Sequence, residues 1–580
     1  MNKNKKRDIT ALLLAIAIVI LLNIIGSFVF KRFDLTSEKR YTLSDATKKL
    51  LKNLDDIVYV KVYLEGEFPA GFKRLRNETK EMLDEFRAYS NDNIEYEFIN
   101  PSANSDQNEI SKQVYDKVLQ PINPDKKEQN EIYKQLYDKG LQPTNLEVKE
   151  ENGTSQQIIF PAALVSHKGK EAPWQLLKTQ IGVSSEAQLN NSIQSLEYEF
   201  ASCIRNLTTK LKPIIGFIEG HGELDTLETA DVRHALSEFY YIKRVKINQQ
   251  LKALDGLKAI VIAKPDTTFS EQDKFIIDQF IMKGGKALWC IDPLFTSMDS
   301  LRKNPETTAI PYDLNLEDLL FKYGVRINSD MILDIQSSAL PVNQSLAGQQ
   351  PRFELKPWIF SPLVAPVNTH PISKNLDLIK IEFGSSVDTI STQEIKKSIL
   401  LRSSKYSKTL NSPVRVSLMY LRRTPNENQF TDPYRSVAVL LEGKFESAFK
   451  NRVPPQIAAD SAIKFTTNGT TTKMIVIGDG DIIRNDIQYS TNQPLPLGFD
   501  KYTNQTYGNK NFILNCMNYL CDDSGLITVR NRELTLRLLN KKKIRIEKTK
   551  WQLINTVLPL LLIIVYGCIH FMVRKRKYAN

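Results

Sequence analysis

The chain has 580 residues, of which 42% are hydrophobic and 25% charged, an ordinary globular composition that excludes disordered, fibrous and wholly membrane-embedded classes and leaves room for two to four domains. Its net charge of +12 does not point to nucleic acid, because the excess flanks the apolar termini and there suits lipid headgroups, at about 1 kcal/mol per basic residue near an anionic surface. The five cysteines show no C-x-x-C and no zinc spacing and, apart from Cys568 in the second apolar span, read as buried small apolar residues; no cofactor is expected, and the alternative of a metal falls to His221 and the aspartates at the strand ends.

In chain order, residues 1–8 form a short basic tail, and Ile9 to Phe30 carry no charge over 22 residues, enough to span a hydrocarbon core. A cleaved signal has a shorter apolar core and an A-x-A-like site, so this segment is expected to be an uncleaved anchor. Residues 31–205 follow as a smaller α/β domain. In it "YTLSDATKKLLKNL" caps and forms an amphipathic helix, and "DIVYVKVYLEG", "FKRLRNETKEMLDEFRAYS" and "NIEYEFINP" read as a β-α-β unit.

An oddity interrupts this domain: "QNEISKQVYDKVLQPIN" and "QNEIYKQLYDKGLQPTN" match at 13 of 17 positions, 22 residues apart, so residues 107–145 hold a duplication, expected as an inserted surface helix-turn. "SQQIIFPAALVSHKGKEAPWQLL" then reads as a strand pair, and "SEAQLNNSIQSLEYEFASCIRNL" as a helix.

Residues 206–530 change rhythm. "PIIGFIEG", "KAIVIAKP", "KALWCIDP" and "KMIVIGDGDII" are apolar runs, alternating with the helices "TADVRHALSEFYYI", "SEQDKFIIDQFIMKGG" and "NKNFILNCMNYL". This pattern predicts a parallel, doubly wound sheet covered on both faces, with a mixed insertion at 301–472. A basic segment, 531–550, leads to a second uncharged span, 551–573, and a basic tail, 574–580. The layout is thus membrane-anchored α/β domains between two terminal transmembrane helices, with both termini on one side. The basic flanks nearly cancel as a topology signal, so cytoplasmic termini rest on the first span acting as an uncleaved signal sequence.

In an open parallel sheet ligands bind beyond the carboxyl ends of the strands. Three such ends carry polar residues here: Glu219, His221 and Glu223 in "EGHGELD", Asp292 after "KALWCI", and Asp479 and Asp481 after "MIVIG". If the strands are neighbours these six converge as a candidate ligand-binding edge. A hydrolase or amidase would use His221 with Asp292 or Asp479, but no serine or cysteine stands at a G-x-S-x-G-like elbow, and no second histidine joins these edges. The other reading is that glycine and aspartate turns end strands, in which case an alanine at 221 is expected to be mild. A third is a scaffold that only bridges envelope proteins. No G-x-x-x-x-G-K-[ST] occurs, so a P-loop ATPase would have to be a separate chain.

Seven segments in this order, "DLTSEKRYTLS", "LNNSIQSLEYEF", "FIEGHGELD", "LEDLLFKYGVRIN", "HPISKNLD", "VAVLLEGKFESAF" and "VIGDGDIIRND", carry a resemblance over almost the whole chain. The chain resembles GldG, the gliding-motility-associated membrane subunit of a bacterial ABC transporter in the Bacteroidetes. The resemblance implies a periplasmic domain held in the inner membrane by two spans, a substrate-binding role without catalysis, and work beside an ABC permease (GldF-like) and a cytoplasmic ATPase (GldA-like). It also implies a core similar to the glutamine-amidotransferase-like fold, whose enzymes place a cysteine at a strand-helix elbow. Cys290 lies within its strand instead, and the duplicated segment looks like a departure from the family.

Overall fold

The computed structural model of the chain describes residues 10, 12–21, 23, 42–101, 127–150, 153–180, 183–345, 349–392, 394–453, 464–488, 490–531 and 541–578. They fall into two compact units, one reaching Arg532 and one starting at Glu533.

In the first unit Ser44 caps helix α1 (Asp45–Lys52), its hydroxyl accepting from the Thr47 N–H at 3.1 Å. Strand β1 (Val58–Val62), helix α2 (Ala70–Tyr89) and strand β2 (Ile94–Phe98) form the expected crossover, with β1 and β2 parallel. Helix α3 (Lys127–Asp138) precedes two antiparallel hairpins, β3 (Thr144–Glu150) with β4 (Gly153–Ile159) and β5 (Ala162–His167) with β6 (Lys170–Gln175). The stretch expected as one strand pair thus contributes three strands. β5 and β6 complete a four-stranded sheet of order β2-β1-β5-β6, while β3 and β4 form a two-stranded sheet of their own. Helix α4 (Ser185–Thr208) buries Ile193, Leu196, Phe200, Ile204 and Leu207 at helical spacing, and Phe200 packs between Phe86 and Trp174 with ring centroids 4.7 and 4.6 Å away.

The first copy of the duplicated segment lies largely outside the described residues. The second forms the expected helix and turn at the surface, with Tyr137, Asp138 and Lys139 exposed, but it is anchored on one face: Tyr133, Leu136 and Leu141 are buried with Phe160 and Ala162 in a small core of their own. Alternating helical spacing with charged neighbours looks like a solvated face until a partner wall is supplied, and here Phe160 supplies it.

The larger sheet holds ten strands. Its parallel part is β7 (Ile214–Glu219), β8 (Tyr241–Lys246), β9 (Ala259–Ala263), β10 (Lys286–Cys290) and a last parallel strand at Asn468–Ile477. Strands Ser337–Asn343, Phe353–Pro366, Ile395–Arg402 and Ser436–Glu446, with the short Ile379–Lys380 beside Phe353–Pro366, continue the same sheet in antiparallel fashion. Residues 301–472 therefore widen the sheet.

β8 is absent from the sequence reading, which runs the preceding helix on to Ile242. Helix α5 (Ala230–Ser237) instead stops early, because Tyr241, Ile242 and Val245 are β-branched or aromatic and pair in parallel with β7. Alternate side chains of the central strands enter opposite cores. Phe217, Val261 and Cys290 join α5 and helix Asn509–Cys521, whereas Ile218, Ile262 and Trp289 join helix α6 (Glu271–Met282). The parallel strands run in space as β8-β7-β9-β10 and then Asn468–Ile477, so β8 is added on one side of β7 and the later strands on the other, and the strand order switches between β7 and β9. In such sheets a crevice opens at that point, beyond the carboxyl ends.

In the second unit Lys541–Tyr578 is one 38-residue helix, so the basic segment and the apolar span are continuous. Its stretch Lys543–Arg576 is long and apolar enough to cross a membrane. At the other terminus, residues 12–21 are part of a shorter apolar helix, and the rest of the expected first span lies outside the described residues.

Candidate functional site at the carboxyl edge

The turn after β7 is built on two glycines with positive φ, Gly220 at +119° and Gly222 at +73°. A Cβ on Gly222 would lie 1.5 Å from Asp266 Oδ1, so any other residue must displace the Asp266 carboxylate as well as bear the positive φ. The two loops are tied together, since the N–H groups of Asp266 and Thr267 donate to the His221 carbonyl at 2.9 and 3.0 Å.

His221 is 5% exposed and stacked on Phe269, with ring centroids 3.7 Å apart and planes 11° from parallel. Its Nδ1 lies 3.1 Å from Glu223 Oε1 and its Nε2 3.2 Å from Asp273 Oδ2. Burial works against the charged imidazole, but bonds and charges from Glu223 and Asp273 outweigh it and hold the His221 pKa above its ordinary value. Both ring nitrogens thus face carboxylate oxygens of the chain itself, and the charged imidazole can donate to both. Asp273 is itself fixed at the first turn of α6, where Ser270 caps its N–H and Gln249 donates to Oδ1 at 2.8 Å.

Asp292, Asp479 and Asp481 do converge: their nearest carboxylate oxygens lie within 4.8 Å of one another. Lys264, at the end of β9, brings its ammonium 2.5 Å from Asp481 Oδ2 and 3.2 Å from Asp292 Oδ2. The three carboxylates would suit a cation, and Lys264 supplies one from the chain itself. Backbone donors take further oxygens, Gly480 N–H to Asp292 Oδ1 at 2.5 Å and Asp481 N–H to Asp479 Oδ1 at 3.0 Å.

Charges in this group are graded by position. Burial pushes Asp292 up to about 6 and Asp479 well above the carboxylate range. Burial also opposes ionisation of Asp481, yet Lys264 and Arg484 hold its pKa below the ordinary value. Glu382, whose N–H donates to Asp479 Oδ2 at 3.3 Å, is pushed up to about 7, first by burial and then by Asp481.

The six expected residues thus share an edge but divide into three groups. Glu219 pairs with Arg244 on the neighbouring strand, His221 and Glu223 join Asp273, and the three aspartates join Lys264. Lys264 and Asp273 escaped the sequence reading. A lysine just after an apolar run whose neighbouring runs end in aspartate was the available signal for the first. For the second, an acidic residue at N3 of a capped helix looks like ordinary dipole complementation.

A cleft of about 980 Å³ lies elsewhere, lined in part by Arg326, Asn328, Asp330, Ser386, Asp388 and Arg435. Its arginines are also paired within the chain, Arg326 with Asp388 at 3.0 Å and Arg435 with Asp432 at 3.4 Å. It has the size of a small-molecule site and a balanced charge.

Residues 212–516 match the family described as ABC-type uncharacterized transport system, and residues 37–166 match a domain of unknown function (DUF7088). A protein of Borreliella burgdorferi titled "Uncharacterized protein" is 22% identical over 598 residues, covering 99% of each chain. Among solved structures, the "mmIFT52 N-terminal domain" aligns with 53% of this chain and 96% of its own at 14% identity and a TM-score of 0.30, too slight a likeness to support an argument.

Proposed function

The chain belongs to the ABC-type uncharacterized transport system family, whose match covers more than half of its length, and from that premise we propose that it is a non-enzymatic auxiliary subunit of an ABC transporter. It works beside a separate permease and a cytoplasmic ATPase, in the manner implied by the likeness to GldG, including the link to gliding motility and a substrate-binding role. Family membership carries this reading. The carboxyl edge supports it, because a histidine with both nitrogens bonded and a carboxylate group neutralised by Lys264 is built for rigidity rather than proton transfer. The apolar C-terminal helix supports a membrane-anchored chain. The finer layout we propose is the inner membrane, two passes, the large domain in the periplasm and both termini in the cytoplasm.

Purification of the full chain in mild detergent tests the reading. The expected result is co-purification of a polytopic permease and an ATPase, identified by mass spectrometry. A chain recovered alone under conditions that preserve other membrane complexes overturns it. So does an envelope amidase or esterase activity lost on His221 substitution in a protein that stays folded. A reporter fused after Asn580 should be active only in the cytoplasm.

A further inference from the structure

The C-terminal helix carries its hydrogen-bonding groups on one side. Between Gln552 and Val573 every amide, hydroxyl and imidazole side chain belongs to Gln552, Asn555, Thr556, Tyr566 or His570. At about 100° per residue these five fall within a sector of about 120°. Positions 552, 556, 559, 563, 566 and 570 follow alternating steps of four and three, the spacing of a packing seam between left-handed supercoiled helices. Apart from Pro559 and Gly567, the remaining residues are Leu, Ile, Val, Phe, Met and Cys568.

The stripe is open. The span is 0% buried, and the side chains of Gln552, Asn555, Tyr566 and His570 have no hydrogen-bond partner among the described residues. Tyr566 and His570 stack on each other with centroids 6.1 Å apart, and the Thr556 hydroxyl turns back onto the Gln552 carbonyl at 2.8 Å. Lipid tails offer such groups nothing, so polar side chains at membrane depth face protein.

Charge selects among protein partners. A second copy in the same membrane has the same orientation, so it would set "KKKIRIEKTK", with six basic residues to one acidic, against its own image, and "RKRK" likewise at the other end. Like charges at both flanks disfavour a homodimer through this seam.

We infer that the stripe on Lys541–Tyr578 is the docking surface for a transmembrane helix of a different chain, one that offers small and hydrogen-bonding residues along its length and lacks basic flanks. This rests on the proposed auxiliary role, and the permease subunit of the same transport system is the occupant it names.

Photo-crosslinking in intact membranes, with p-benzoylphenylalanine at position 563 in the seam or at 561 on the opposite face, tests it. The expected result is an adduct with the permease from position 563 and little or none from 561. In parallel, the full chain bearing Gln552→Leu, Thr556→Leu and His570→Leu still inserts, being more apolar, but should recover on the order of tenfold less permease. An adduct at twice the chain's own mass overturns the inference in favour of a homodimer. Permease co-purification that the triple variant leaves unchanged, with equal crosslinking from both faces, overturns the stripe while sparing the auxiliary role. Absence of any permease from the wild-type complex defeats the auxiliary role itself.

Discussion

The carboxyl edge of the parallel strands and the C-terminal helix both concentrate polar side chains where water is scarce, and they resolve the problem in opposite ways. At the edge each charge meets its counter-charge within the chain: His221 lies between Glu223 and Asp273, and Lys264 among the aspartates. On the helix, the side chains of Gln552, Asn555 and Tyr566 find no hydrogen-bond partner among the described residues. The difference teaches where to look for a partner. Buried groups that satisfy one another hold a fold, whereas unmet groups on an apolar element wait for another molecule.

If that contrast is right, damage at the edge should read out as lost stability. The largest effect is expected from Lys264→Met, which leaves Asp292 without its cation and Asp481 with Arg484 alone, at 3.4 Å. Removing one partner of a buried pair costs about 3–5 kcal/mol, seen as a lower denaturation midpoint of the full chain in detergent. An unchanged midpoint would show that water or an ion replaces the lysine, and the edge would have to be reconsidered as a binding site.

The two glycines sharpen the point. Gly220→Ala meets no atom within 4 Å and bears only its backbone strain, about 1–3 kcal/mol, whereas Gly222→Ala must also displace the Asp266 carboxylate and should cost more in the same assay. Equal costs would mean that the loop after β9 yields freely.

His221→Ala comes next, with about 2 kcal/mol expected from lost stacking and from one lost bond at each of Glu223 and Asp273, which keep only backbone donors. This exceeds the mild effect that a simple turn implies. The pH dependence has a definite sign. The folded-state pKa is raised, so the stabilisation is fully present below the unfolded value of about 6.5 and fades as pH rises through the folded value. The gap between wild type and variant should therefore narrow on raising the pH above about 6.5. A gap that widens would mean a neutral imidazole. The smallest effect belongs to Arg244→Gln, a partly exposed pair with Glu219, at about 0–1 kcal/mol.

Much of this was legible in the chain because parallel strands buried on both faces read as unbroken apolar runs, as in "KAIVIA" and "KALWC". The aspartates after two of them were recognisable from where such runs stop. β8 was not, since an edge strand with Lys243, Arg244 and Lys246 alternates like a solvated helix end. Lys264 and Asp273 were equally hidden. Only the spatial order of the strands brings residues 264, 292 and 481 within bonding distance, and no local pattern encodes that order.

The anchored second copy of the duplicated segment has one more consequence. A chain with two near-identical stretches could thread either into the same niche, a degeneracy of 22 residues in registration. The four mismatches resolve it: Tyr133, Leu136, Gly140 and Thr144 correspond to Ser111, Val114, Val118 and Ile122. Tyr133 packs its ring 5.2 Å from that of Phe160, which a serine cannot do. Gly140 adopts φ +86°, where valine is strained, with a Cβ position 3.3 Å from Pro173. Divergence has thus fallen on residues that tell the copies apart, and exchanging Tyr133 and Gly140 for their counterparts should remove the folding preference for one registration over the other.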